Sequence, residues 1–206
     1  MTRVRLVAII LFEEVEVLDF AGPFEVFSVT GRAEQENPFE VKLVAETMQP
    51  VLARKGFSVN PHLSYADCPQ PDILIIPGGY GTRREVHNPA TLEFVKKMAP
   101  AAEIVLSVCT GSLILGKLGL LDGKEATTHH LAFDFLKVAA PKAILCPSKR
   151  VIDTGHLITS GGISSGIDAS IHVVNRLLGE RVARETATYM EYPFPNLDFS
   201  EPAAGI

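Results

Sequence analysis

Ile104-Val105-Leu106-Ser107-Val108-Cys109-Thr110-Gly111-Ser112 sets a run of strand-forming residues directly against a Cys-Thr-Gly-Ser corner. Beyond the corner, Thr110 to Leu118 carries a helical pattern. The run Ile104 to Val108 has strand length and no clean alternation, as expected of a strand covered on both faces. Runs of the same kind occur at Val4 to Phe12, Glu40 to Ala45 and Ile73 to Ile76. Helical signals lie between them, at Ala21 to Val29 and at Asn88 to Met98, where Asn88 can cap and Pro89 takes the first helical position. Short strands are predicted at Glu125 to Thr128, Arg150 to Asp153 and Leu157 to Thr159, with helices from about Ile167 to Leu178 and from Arg181 to Tyr189. Asp153-Thr154-Gly155-His156 reads as the turn of a hairpin. This alternation predicts an α/β domain, a parallel sheet with helices on both sides. Residues 1–193 read as one domain and 194–206 as a Pro-rich tail.

The whole chain has 206 residues, 47% hydrophobic and 21% charged, which is a globular composition. Its net charge of −5 argues against a dedicated nucleic-acid surface, which would show a clustered basic face. Cys68, Cys109 and Cys146 fit neither a disulfide framework nor a metal-binding pair, and no other metal motif or P-loop is present. Arg3 and Arg5 precede the apolar run Leu6 to Phe12, but that run lacks a cleavage site and stops at Glu13. No apolar stretch reaches the roughly 18 residues of a membrane span. The expectation is a cytoplasmic protein with no metal, no nucleic acid and no membrane as partner.

In open parallel sheets, ligands bind beyond the carboxyl ends of the strands. Cys109 stands there, at what has the layout of a nucleophile elbow. The helix start that follows is expected to lower the thiol pKa through its dipole and free amides. The alternative is a buried core cysteine that happens to end a strand. Cys68 and Cys146, each beside a proline, read as structural. Asp19 is a lone carboxylate among apolar residues after the first strand, and reads two ways. Burial would raise its pKa and make it an acid or base near neutrality, or it caps the Ala21 helix. Glu13, Glu14 and Glu16 read as a solvated loop. Pro77-Gly78-Gly79-Tyr80-Gly81 follows the third long strand, either as an anion-binding concavity or as a plain turn. Ser160-Gly161-Gly162-Ile163-Ser164-Ser165-Gly166 also follows a strand and opens a helix, but its spacing is not that of a dinucleotide fingerprint. His129 and His130 face the same edge or cap a helix.

These segments resemble the ThiJ/PfpI superfamily. The resemblance rests on Leu18-Asp19-Phe20-Ala21-Gly22-Pro23, Pro77-Gly78-Gly79, Ser107-Val108-Cys109-Thr110-Gly111-Ser112, Ala126-Thr127-Thr128-His129 and Gly161 to Asp168. Within the superfamily the pattern is most similar to the isocyanide hydratase subgroup, with the sensor domain of some AraC-type regulators as a sister group. The resemblance implies a flavodoxin-like three-layer α/β/α sandwich, class I glutamine amidotransferase-like, a homodimer, and no cofactor. It makes Cys109, Asp19 and Thr110 the catalytic residues. It places the substrate, a small electrophile, against Gly78, Gly79, Tyr80, Gly162 and Ile163, with the Gly78-Gly79 amides as the polar pocket.

Other branches place a histidine after the nucleophile and many use a glutamate as the acid. Thr110 and Asp19 stand at those positions here, which disfavours Cys-His peptidase chemistry. His130 stands where a tryptophan is common in the hydratases. The implied reaction is cysteine-dependent hydration of an isocyanide to a formamide. The alternatives are another cysteine-dependent hydrolase or amidase, or a ligand- or redox-sensing domain. A sensor of this kind would need a separate DNA-binding partner.

Overall fold

In the computed structural model, which describes residues 3–32 and 37–194, the long apolar runs become neighbours in one seven-stranded sheet. β1 (Arg5–Leu11) is followed by α1 (Val17–Val29) and β2 (Phe39–Ala45). A small hairpin of β3 (Val51–Leu52) and β4 (Ser58–Val59) precedes β5 (Leu63–Ser64) and β6 (Ile73–Ile76). α2 (Thr82–Glu85) and α3 (Pro89–Met98) lead to β7 (Ile104–Val108) and, through a 3-10 turn at Cys109–Gly111, to α4 (Ser112–Lys117). β8 (Glu125–Ala126), α5 (Phe133–Ala139) and β9 (Ile144–Leu145) follow. β10 (Val151–Asp153), β11 (Leu157–Ser160), α6 (Ser165–Leu178) and α7 (Glu180–Tyr189) complete the order.

The main sheet runs β10-β11-β7-β6-β1-β2-β5, parallel throughout except for the β10–β11 hairpin at its edge. Continuous apolar runs are required because the central strands have core on both faces. Val7, Ile9, Ile75 and Leu106 pack under α1, α6 and α7, whereas Ala8, Ile10, Leu74 and Val105 pack under α3 and α4. β1 pairs with β2 on one side and β6 on the other, so the chain's direction of progress across the sheet reverses there. Ligand crevices form at such reversals, outside the carboxyl ends of the strands. The segments after β1, β6, β7 and β11 all meet at that edge.

The long strands stand where the sequence predicts them, with ends moved by a residue or so. Asn88 caps α3 by accepting from the Ala90 amide at 3.0 Å, with Pro89 in the first helical position. Gly155, at φ +88°, turns the expected β10–β11 hairpin. Three expectations are corrected. α1 begins at Val17, so Asp19 lies inside its first turn and does not cap a helix at Ala21. The strand expected at Glu125 to Thr128 stops at Ala126, because the Thr127 amide donates to Thr159 Oγ1 at 3.0 Å instead of to a neighbouring backbone. The helix expected from Thr110 opens as a 3-10 turn and is α-helical only over Ser112–Lys117. The short strands β3 to β5 and helix α5 carry too few periodic residues to be read from sequence. Of the expected Pro-rich tail, 194–206, residues 195–206 lie outside the described residues.

Ile75 has no exposed surface and lies between Ile9 and Leu106. Ile75→Ala is expected to destabilise the fold by about 2–5 kcal/mol, from lost transfer energy plus the cavity it leaves. Urea unfolding measures this, and a loss under about 1 kcal/mol would contradict the packing described.

Candidate active site

Cys109 takes the chain from β7 into the 3-10 turn at φ +56°, a left-handed conformation that costs a side-chain-bearing residue about 1–3 kcal/mol. Hydrogen bonds hold the corner in place. The Cys109 amide donates to Gly161 O at 2.9 Å, and Cys109 O accepts from Thr128 Oγ1 at 2.9 Å and Ser112 Oγ at 3.1 Å. Gly111 is glycine because a Cβ there would lie 2.0 Å from Ile76 O. Cys109 is 6% exposed, at the carboxyl edge of the sheet.

Asp19 reaches the same point from the first turn of α1 and is fully buried. Its carboxylate accepts from the Gly78 amide at 3.0 Å and the Ile163 amide at 3.1 Å, and lies beside the Cys109 thiol. Burial pushes the Asp19 pKa up to about 7, against the opposing pull of those donors. The Cys109 thiol is also pushed up, by its burial first and then by the adjacent Asp19 charge. This overturns the expectation of a lowered thiol pKa. The six-residue α4 and the Thr110 amide and hydroxyl favour the thiolate, but desolvation beside an acid outweighs them. The two groups titrate as a unit, and near pH 8 the Cys109 thiol keeps its proton beside the Asp19 carboxylate.

Thr110 is part of the same network. Its Oγ1 accepts from the Gly79 amide at 3.0 Å and from Thr82 Oγ1 at 2.9 Å. The amides of Gly78 and Gly79 are therefore already donated, to Asp19 and to Thr110. The expected open amide pocket is corrected: the pair positions the acid and the threonine. A Cβ on Gly78 would come within 2.5 Å of the Thr110 nitrogen, and one on Gly79 (φ +132°) within 2.5 Å of Glu14 O. The bridge of Val15 with Gly79 ties the start of α1 to this turn, so Val15 is buried within a segment that reads from sequence as solvated.

Gly162 and Ile163 line a cleft of about 510 Å³ together with Thr128, His129, Lys149 and Arg150. Gly162 has no side chain because a Cβ would sit 2.2 Å from His129 Cδ2. Ile163, at φ +53°, turns its amide toward Asp19. Tyr80 lies outside this cleft, 61% exposed, with Arg83 at 4.7 Å and Arg54 at 5.6 Å from its ring centre. Sequence reasoning missed Thr82, which braces Thr110, and the binding of Thr128 to the Cys109 carbonyl. Neither the threonine that opens α2 nor the second threonine after β8 carries a local pattern that would have identified its partner. A second cavity, of about 210 Å³ between Phe12, Glu46, Tyr65 and Glu85, contains none of these residues. Among the described residues, no three His, Cys, Asp or Glu side chains come together as metal ligands, and no helix is long and apolar enough to cross a membrane.

Residues 5–176 match the DJ-1/PfpI family. The chain is 36% identical over 198 residues to isonitrile hydratase of Pseudomonas putida, covering 95% of this chain and 82% of that protein. It is 31% identical over 134 residues to the HTH-type transcriptional regulator CdhR of Pseudomonas aeruginosa, covering 65% of this chain and 39% of the regulator. A solved ThiJ/PfpI family protein from Pseudomonas syringae superposes with a TM-score of 0.84 at 28% identity, covering 97% of this chain and 80% of that one.

The shared proton gives a signed test. Removing the Asp19 charge removes one cause of the raised thiol pKa, so Asp19→Asn is expected to move the pH profile of Cys109 alkylation to lower pH. At pH 8 iodoacetamide should then modify Cys109 several-fold faster than in the wild type. Slower modification in the variant would mean that Asp19 activates the thiol instead of holding its proton.

Proposed function

We propose that this chain, which belongs to the DJ-1/PfpI family, hydrates an organic isocyanide, R–N≡C, to the formamide R–NH–CHO, with Cys109 as nucleophile and Asp19 as proton carrier. The observation that carries the reading is the burial of the Asp19 carboxyl beside the Cys109 thiol, where each group shifts the titration of the other. A relative at 36% identity carries the name isonitrile hydratase, which supports the same reading.

Adding a thiol to an isocyanide places both sulfur and hydrogen on one carbon. Sulfur attack leaves carbanion-like charge on that carbon, and the demand there is for a proton. In the proposed first step Asp19 takes the thiol proton as the Cys109 sulfur bonds to the terminal carbon. It returns that proton to the same carbon, giving the thioimidate R–N=CH–S–Cys109. Water then attacks the carbon, and Asp19 accepts a proton from it and passes that proton to the nitrogen. The adduct R–NH–CH(OH)–S–Cys109 collapses to the formamide, and the departing sulfur regains its proton. Atoms and protons balance: one water is consumed and the enzyme is restored. Covalent catalysis splits one hard hydration into two easier steps. Thr110, fixed by Gly79 and Thr82, is placed to steady the thiol and orient the water.

The commitment of the Gly78 and Gly79 amides favours this reaction over amide hydrolysis. An amidase has to stabilise an oxyanion with free donors, and removing one such donor typically costs about 10²–10³ in rate. Isocyanide addition develops its charge on carbon and needs the proton that Asp19 carries.

An aryl isocyanide followed by absorbance and product mass tests the reading. Cys109→Ala is expected to abolish formamide formation, and Asp19→Asn to lower it by about 10²–10⁴. Thr110→Val should cost about tenfold, in line with loss of one hydrogen bond to a reacting group. Asp19 accepts the proton only when ionised, so wild-type kcat/KM should fall as pH drops below about 7. Undiminished turnover in Cys109→Ala would overturn the mechanism, and no turnover by the wild type would overturn the assignment.

A further inference from the structure

The chain carries a net charge of −5, yet the cleft beside Cys109 is lined with the opposite polarity. His129, His130, Lys149 and Arg150 border it, and none of its lining residues among those described is a carboxylate. The cleft also meets the start of the 14-residue α6, the positive end of that helix's dipole. Three lining residues hydrogen-bond to the Cys109 backbone or to the Asp19 carboxyl, which sets the cleft next to the reacting pair. Gly161 O accepts from the Cys109 amide, Thr128 donates to Cys109 O, and the Ile163 amide donates to Asp19. A molecule whose carbon meets Cys109 therefore has a basic wall next to it.

The donors in that wall differ in what they have to offer. Arg150 is engaged, pairing with the buried Asp168, which also accepts from Tyr192 at 2.8 Å, and donating to Ser164 at 3.0 Å. Its charge is largely balanced by Asp168. His129 accepts from the Leu131 amide at 3.2 Å through Nδ1, leaving Nε2–H as a neutral donor. Burial, with His130 beside it at 4.3 Å between ring centres, favours that uncharged form. Lys149 is fixed through its backbone, its amide donating to Cys146 O and its carbonyl accepting from Thr127 Oγ1, while its side chain is exposed. The wall thus offers about one uncompensated positive charge plus neutral donors. That complement suits a monoanion and falls short of a phosphate dianion.

We propose that the cleft binds a carboxylate carried by the substrate, so that the preferred isocyanide is an anionic one, with Lys149 as its principal contact and His129 as a second donor. This inference rests on the hydration reading, whose reacting pair fixes where the rest of the substrate lies.

The test compares 4-isocyanobenzoate with its methyl ester, which has the same reacting group and no charge. At low ionic strength the acid is expected to be favoured by about tenfold in kcat/KM, the worth of roughly one such contact. The preference should shrink as salt is added. Lys149→Gln should bring the ratio close to one, while Lys124→Gln, an exposed lysine outside the cleft, should keep it. Equal turnover of acid and ester, with a ratio unmoved by Lys149→Gln, would overturn the carboxylate site and leave hydration standing. Should neither isocyanide react, the hydration reading falls and calorimetry decides the cleft separately. In that case Lys149-dependent binding of 4-formamidobenzoate over formanilide, measured on Cys109→Ser, would uphold it, and absence of binding would overturn it.

Discussion

A carboxyl group with no exposed surface has to be surrounded by donors, and Asp19 draws them from separate parts of the chain. The Gly78 amide comes from the turn after β6 and the Ile163 amide from the turn after β11, and the Cys109 thiol lies beside the carboxyl at the corner after β7. An unpaired buried charge costs several kcal/mol, so these loops are constrained together. Much of the local backbone follows from that requirement. Gly78 must be glycine to let Thr110 and Cys109 approach, and Cys109 and Ile163 adopt positive φ where side-chain-bearing residues seldom do. The sheet holds these turns at one edge because β1, β6, β7 and β11 lie side by side.

The same pairing settles the state of the thiol. A helix start favours a nearby anion by about 0.3–1 kcal/mol, up to about 2 in buried geometries. Against it stand the desolvation of a buried thiol and the carboxylate beside it. The second pair of effects is larger, and the thiol keeps its proton. A protonated thiol beside a buried acid suits a reaction that must add both sulfur and hydrogen to one carbon. It suits less well a reaction that needs a standing thiolate and free oxyanion donors.

Charge is distributed unevenly around this edge. The sheet and its covering helices supply an apolar frame, the Asp19–Cys109 pair sits at its end, and the basic cleft opens next to it. Asp168 holds Arg150 in the cleft wall, and Tyr192, beyond α7, hydrogen-bonds to that same carboxylate. The late part of the chain therefore takes part in shaping the site that its early part begins.

The sequence by itself determined the layered α/β frame, because unbroken apolar runs of strand length can be stable only between two covering layers. It also singled out Cys109 and Asp19, since a cysteine at a strand-to-helix corner and a lone acid in an apolar segment are local signals, whereas Thr110 came from the resemblance alone. Tertiary structure alone decided what those residues do to one another. The length of α1, the engagement of the Gly78 and Gly79 amides, the bracing by Thr82 and Thr128, and the direction of the thiol shift each depend on groups distant in sequence. Hydrogen-bond satisfaction and desolvation are properties of assembled surroundings, and no periodicity or spacing along the chain encodes them.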